Sequence, residues 1–115
     1  MSNRGYEPPT VGERAGRLIV EGDLHAGNAE AFAGRLLALT VDARGELTID
    51  LGGLDIEDGA GVVAAVNALR QLCARLSKLV LVGAPQMLGH NLYRIGLLDG
   101  GRIELVAMRQ DEPAG

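Results

Sequence analysis

The side chains that could do chemistry in this 115-residue chain are few: one cysteine, two histidines, a handful of hydroxyls and fifteen carboxylates. Nucleophilic catalysis needs a thiol or hydroxyl beside a base. Cys73 falls on the apolar stripe of a helical segment and reads as a small core hydrophobe. The hydroxyls of Ser2, Thr10, Thr40, Thr48 and Ser77 have no evident partner base. His25 lies in a strand-to-helix loop and His90 on the polar side of a helix. Neither has a second ligand at metal-binding spacing on its own element, so no metal site is expected. The 17 glycines suggest phosphate binding, but no G-x-x-x-x-G-K-[ST] is present. Gly59-Ala60-Gly61 lacks the third glycine of a dinucleotide fingerprint, and Asp55, Glu57 and Asp58 just ahead of it would repel a phosphate.

That acidic cluster is the one constellation left. Asp58 is placed to cap a following helix, and Asp55 and Glu57 suit the positive end of its dipole. A cap does not require Asp55 or Glu57, so these exposed acids, at the carboxyl end of a strand where open α/β sheets place their sites, are candidate partner contacts.

The elements that position this cluster alternate. Residues 1–14 read as a loose N-terminal arm, with Thr10 and Val11 able to form a short edge strand, because Pro8 and Pro9 oppose helix. A strand at 17–21 is expected to end at Gly22-Asp23. A helix over 28–39 follows, with Phe32, Leu36 and Leu39 on one face. Gly34 within it costs roughly 1 kcal/mol against Ala, which predicts close packing there. After a turn at 42–45, a second strand spans 46–51, and 54–58 reads as an acidic loop. The best helix covers 60–76, with Val62, Val66, Leu69, Cys73 and Leu76 on its apolar stripe. The run at 79–82 is continuously apolar, as in a strand buried on both faces. Pro85 opens a third helix carrying Leu88, Leu92 and Ile95, closed by Gly96. A last strand at 102–108 leads into a polar tail, 109–115, expected to be disordered.

This order predicts one α/β domain over residues 15–108, with right-handed crossovers and a mostly parallel sheet of four or five strands, the N-terminal arm being able to add an antiparallel edge strand. Composition narrows the function. A hydrophobic share of 47% and a charged share of 23% fit a globular domain. Aromatics make up 3% and the net charge is −4, which disfavours base stacking, phosphate-driven nucleic-acid binding and polybasic membrane association. No apolar run reaches the roughly 18 to 20 residues of a membrane span, and no secretory h-region is present. With a single cysteine, the chain reads as cytoplasmic.

Four segments, GRLIVEGDL (16–24), LTIDLGGLDIEDGAGVV (47–63), LVLVGAP (79–85) and LYRIGLL (92–98), together resemble the STAS domain of sulphate-transporter tails and bacterial anti-sigma-factor antagonists. The most specific piece is the loop and helix start, where the family reads roughly D-S-S/A-G followed by two apolar residues. The resemblance implies a non-enzymatic switch protein without cofactors. In such proteins a serine or threonine in this loop is phosphorylated by a partner kinase, and the added charge blocks docking. Aligning Asp58 and Gly61 with the family aspartate and glycine puts Ala60 at the acceptor position, so the switch is expected to be lost. The implied docking surface is Asp55, Glu57, Asp58, Gly59, Ala60, Gly61 and Val63. Its expected partner is a kinase-type anti-sigma factor or, alternatively, the ATPase of an ABC-type lipid transport complex. Apolar surface on the third helix or last strand could also support a homodimer. An enzyme or small-ligand binder on this sheet has only fold-level analogy behind it.

Overall fold

The computed structural model describes residues 7–107. Its elements run β1 (Thr10–Arg14), β2 (Arg17–Leu24), α1 (Ala29–Leu39), β3 (Glu46–Ile56), α2 (Gly59–Cys73), β4 (Lys78–Val82), α3 (Gln86–Arg94) and β5 (Ile103–Val106). The five strands form one sheet in the order β1-β2-β3-β4-β5. β1 pairs antiparallel with β2, and the other neighbours are parallel. The N-terminal edge strand is therefore real. It is joined to β2 by a two-residue turn, Ala15-Gly16, in which both residues have positive φ, as the twist of a tight hairpin requires. Residues 1–6 and the tail 109–115 lie outside the described residues, as does Met108 of the expected last strand.

Because strand order follows chain order, each right-handed β-α-β crossover returns on the same side. α1 contacts α2 and α2 contacts α3 on that one face. The core lies between this helix layer and the sheet, built from Val20, Leu24, Phe32, Ile49, Leu69, Leu72, Leu79, Leu81, Leu88 and Leu92. The opposite face of the sheet carries no helix among the described residues. This corrects the expectation for 79–82: Leu79 and Leu81 are buried, whereas Val80 and Val82 are only half-buried, on the uncovered face.

Five further expectations change. β2 does not end at Gly22 but continues to Leu24, with Gly22 at φ +130° and the Cα of Pro9 only 3.0 Å from where a Cβ would stand. β3 runs on through Gly52-Gly53 to Ile56, so 54–56 is strand rather than loop. The pairing slips there: between matched pairs, β2 advances from Ile19 to Glu21 while β3 advances from Asp50 to Gly53, an extra residue on β3. The Asp50 carboxylate accepts from the Gly52 amide at 2.9 Å and holds the irregularity. Gly34 is exposed with open space around it, not closely packed. Leu39, the last residue of α1, and Ile95, the C-cap of α3, are 58% and 47% exposed, so neither belongs to the buried stripe of its helix. α2 itself stops at Cys73, three residues early, although Leu76 stays buried.

Candidate functional site

The site forms where β2 and β3 deliver their carboxyl ends to the loops before α1 and α2. Asp58 is the N-cap of α2, in extended backbone, and its Oδ1 accepts from the Gly61 amide at 2.8 Å. Its Oδ2 accepts from the Ala26 amide at 3.1 Å, in the other loop. One carboxylate thus caps its own helix and fastens the neighbouring connection. The Gly61 amide, then that of Ala26, hold the Asp58 carboxyl below its ordinary range; partial desolvation opposes this, and the nearby His25 charge supports it. A second staple is backbone alone: the Glu57 amide donates to the Leu24 carbonyl at 2.8 Å.

Gly61 completes the junction. A Cβ there would stand 3.0 Å from the Leu24 oxygen and 3.1 Å from Ile56 Cγ2, so only glycine lets α2 start this close to the end of β2. On the other side, buried Asn28 ties the loop before α1 to the N-terminal arm. Its Nδ2 donates to the Glu7 and Asp23 carbonyls, both at 2.9 Å, and its Oδ1 accepts from the His25 amide at 3.0 Å. The sequence marks Asn28 only as the first residue of a helical segment, and its reach to Glu7 has no local signal.

The predicted site residues separate into two groups. Glu57, Gly59, Ala60 and Val63 are exposed at the loop and first turns of α2, and Val63 is 59% exposed despite being apolar. Asp58 and Gly61 are engaged beneath them. Asp55 stands apart: it lies in β3, opposite Asp23 of β2, while buried Leu54 and half-buried Ile56 turn toward the helices. Alternation therefore directs Asp55 to the uncovered face of the sheet. Two carboxylates paired across a ladder are unfavourable and contribute nothing to folding. Ala60 occupies the exposed first turn of α2. Thr48 lies inside β3, and Ser77 precedes β4 at the opposite end of the sheet. Among the described residues no group of three or more His, Cys, Asp or Glu side chains could hold a metal ion. No helix of these residues is long and apolar enough to cross a membrane.

A family model described as "Mlab, STAS domain" matches residues 11–108. The chain belongs to the STAS domain family. The match runs from the second residue of β1 through β5 and includes the stapled loop pair and the start of α2. STAS domains mediate protein–protein interactions, and the five-stranded, mostly parallel sheet with three helices is consistent with that fold. No curated protein matches the chain.

Proposed function

We propose that this STAS domain is a non-enzymatic, cytoplasmic docking module that binds a kinase-type anti-sigma factor through the exposed start of α2, without a phosphorylation switch. The observation that carries the reading is the exposed first turn of α2. It has Ala60 where the family places a hydroxyl and Val63 presented to solvent one turn on. Val63 supplies apolar contact; Glu57, exposed in the loop before α2, and Asp55, at the end of β3 on the uncovered sheet face, supply charge complementarity to a basic partner. Phosphorylation works by adding nearly two negative charges at the docking surface. With Ala60 there, docking is governed by partner concentration alone.

The test uses the purified chain with candidate anti-sigma kinases. Incubation with kinase and ATP leaves the intact mass unchanged, whereas an added phosphate would refute the assignment of Ala60. Charge reversal by Asp55→Lys with Glu57→Lys, and separately Val63→Lys, abolishes binding while the melting temperature stays nearly constant. Retained affinity in all of these variants would move the interface elsewhere. The matching family description names no sigma-factor regulator, which keeps a second partner in play: the ATPase of an ABC-type transport complex, docking on the same surface. A pull-down read by mass spectrometry separates the two, since it returns either an ATP-binding anti-sigma kinase or a transporter ATPase.

A further inference from the structure

A second apolar surface lies apart from the start of α2, along the other edge of the sheet. β5 is the last strand, and its outer edge has no strand neighbour among the described residues. Leu105 and Val106 are 39% and 38% exposed, and beside them α3 presents Met87 and Tyr93, 46% and 68% exposed. These residues, with Pro85 and His90, line an open groove that includes no Asp, Glu, Lys or Arg.

Edge strands are normally protected by proline, a bulge or free charges. Residues 103–106 contain no proline, and their register with β4 is unbroken. Their single charge, Glu104, is neutralised within the chain by Lys78 at 2.8 Å. We infer that this edge is a homodimer interface, in which β5 of two copies pair antiparallel about a twofold axis through Leu105 and close the groove with the two α3 helices.

Charge and register select a second copy of this chain. Each molecule carries a net charge of −4, so self-association is opposed over most of its surface and least opposed at this uncharged groove. A twofold axis normal to the sheet keeps both helix layers on one side and centres the pairing on a single residue. Centring on Glu104 would set two carboxylates directly opposite, which is unfavourable. Centring on Ile103 would spend the contact on a residue already 97% buried by its own chain, since it is 3% exposed. Centring on Leu105 brings the two leucines together on the helix face and places Val106 of each copy opposite Glu104 of the other. Like charges are then never paired, and both exposed apolar residues of β5 are covered.

Sedimentation equilibrium of the whole chain shows a monomer–dimer equilibrium. Leu105→Lys, and independently Val106→Lys on the other face of the strand, each weaken it by about 100-fold or more, while Val63→Lys leaves it unchanged. Directly opposed residues in an antiparallel pair have Cα atoms about 4.5 to 5.5 Å apart, within disulfide reach. Leu105→Cys therefore yields a cross-linked dimer under mild oxidation, and the wild-type chain, whose Cys73 is buried, does not. A strictly monomeric chain, a dimer indifferent to both lysine variants, or Leu105→Cys cross-linking no better than Val63→Cys would each overturn the inference. So would β5 amides equally protected from hydrogen exchange in monomer and dimer, which would mean that the chain's own following residues cover the edge.

Discussion

One substitution made at two glycines should act with opposite sign. Gly34 lies in the middle of α1, exposed, with nothing within 4 Å of where a Cβ would stand. Gly34→Ala therefore removes only the entropy that glycine loses in a helix and stabilises the fold by about 0.5 to 1 kcal/mol. Gly61, also helical, has the Leu24 carbonyl oxygen 3.0 Å and the carbonyl carbon 3.3 Å from where a Cβ would stand. That carbonyl cannot simply move, because it accepts the Glu57 amide at 2.8 Å. Overpacking of this kind costs about 1 to 3 kcal/mol, and a strained hydrogen bond adds about 1. The helix-propensity gain, at most about 1 kcal/mol, does not offset them. The net for Gly61→Ala is a loss of about 1 to 3 kcal/mol. At about 4 to 8 °C per kcal/mol for a domain of this size, Gly34→Ala raises Tm by a few degrees and Gly61→Ala lowers it by roughly 5 to 20 °C. Urea unfolding followed by circular dichroism, with the m-value unchanged, provides the free energies. A Gly61→Ala protein as stable as wild type would show that α2 does not start hard against β2, and the stapled loop pair would fall with it. A destabilised Gly34→Ala protein would refute the open space around α1.

Three further outcomes follow from single hydrogen-bonding groups. Asp58 has a carboxyl pKa lowered from its ordinary value of 3.8, so its contribution is full above that value and is lost as pH falls through the lowered one; stability measured against pH loses part of its acid slope in Asp58→Asn. Asn28→Ala removes the partners of the Glu7 and Asp23 carbonyls and of the His25 amide, costs about 2 to 4 kcal/mol, and makes the backbone at Glu7 and Pro8 more open to limited proteolysis. Arg102 donates through Nη2 to the Cys73 and Leu76 carbonyls at 3.1 and 2.7 Å, closing the end of α2; Arg102→Ala lowers the urea midpoint by the equivalent of about 1 to 2 kcal/mol, and Arg102→Met, which keeps the aliphatic stem, does not rescue it.

The element order, the helix stripes and the cap at Asp58 were legible because each rests on periodicity or on a residue type with one strong local preference. What was hidden depends on partners distant in sequence. Gly52-Gly53 looks like a strand end, yet the Asp50 side chain braces an irregularity that carries β3 four residues past Gly52. The slip also breaks the alternation between Leu51 and Leu54, so no period-2 pattern spans the join. Leu39 and Ile95 obey helical spacing, but each falls where its helix ends, and spacing alone does not say where a helix stops. Val80 and Val82 belong to a run that fits a doubly covered strand. Only the strand order, which no local pattern encodes, leaves one of the strand's faces open. At the site, Gly61 was legible as a family glycine, while its reason, the Leu24 carbonyl, lies on another strand.

The stapling of the two loops bears on why losing the acceptor at Ala60 would matter. Asp58 bonds to both loops, Glu57 is tied by its amide to β2, and Gly61 seats the first turn of α2 against the end of the same strand. The exposed surface above them is therefore held by hydrogen bonds and packing within the chain itself, an arrangement that favours binding with little ordering entropy. A phosphate on such a surface could not act by rearranging the loop without breaking these bonds; it could act only by its charge and bulk at the interface. On the proposed function, the lack of a hydroxyl at position 60 would remove that control and leave the binding geometry intact. It follows that Ala60→Ser should restore a modifiable position without altering the affinity of the unmodified chain, and phosphorylation of that serine should abolish binding while Asp58 still caps α2. An Ala60→Ser protein that binds more weakly before any modification would show that the helix start is shaped for alanine itself, and that Ala60 contributes directly to the contact.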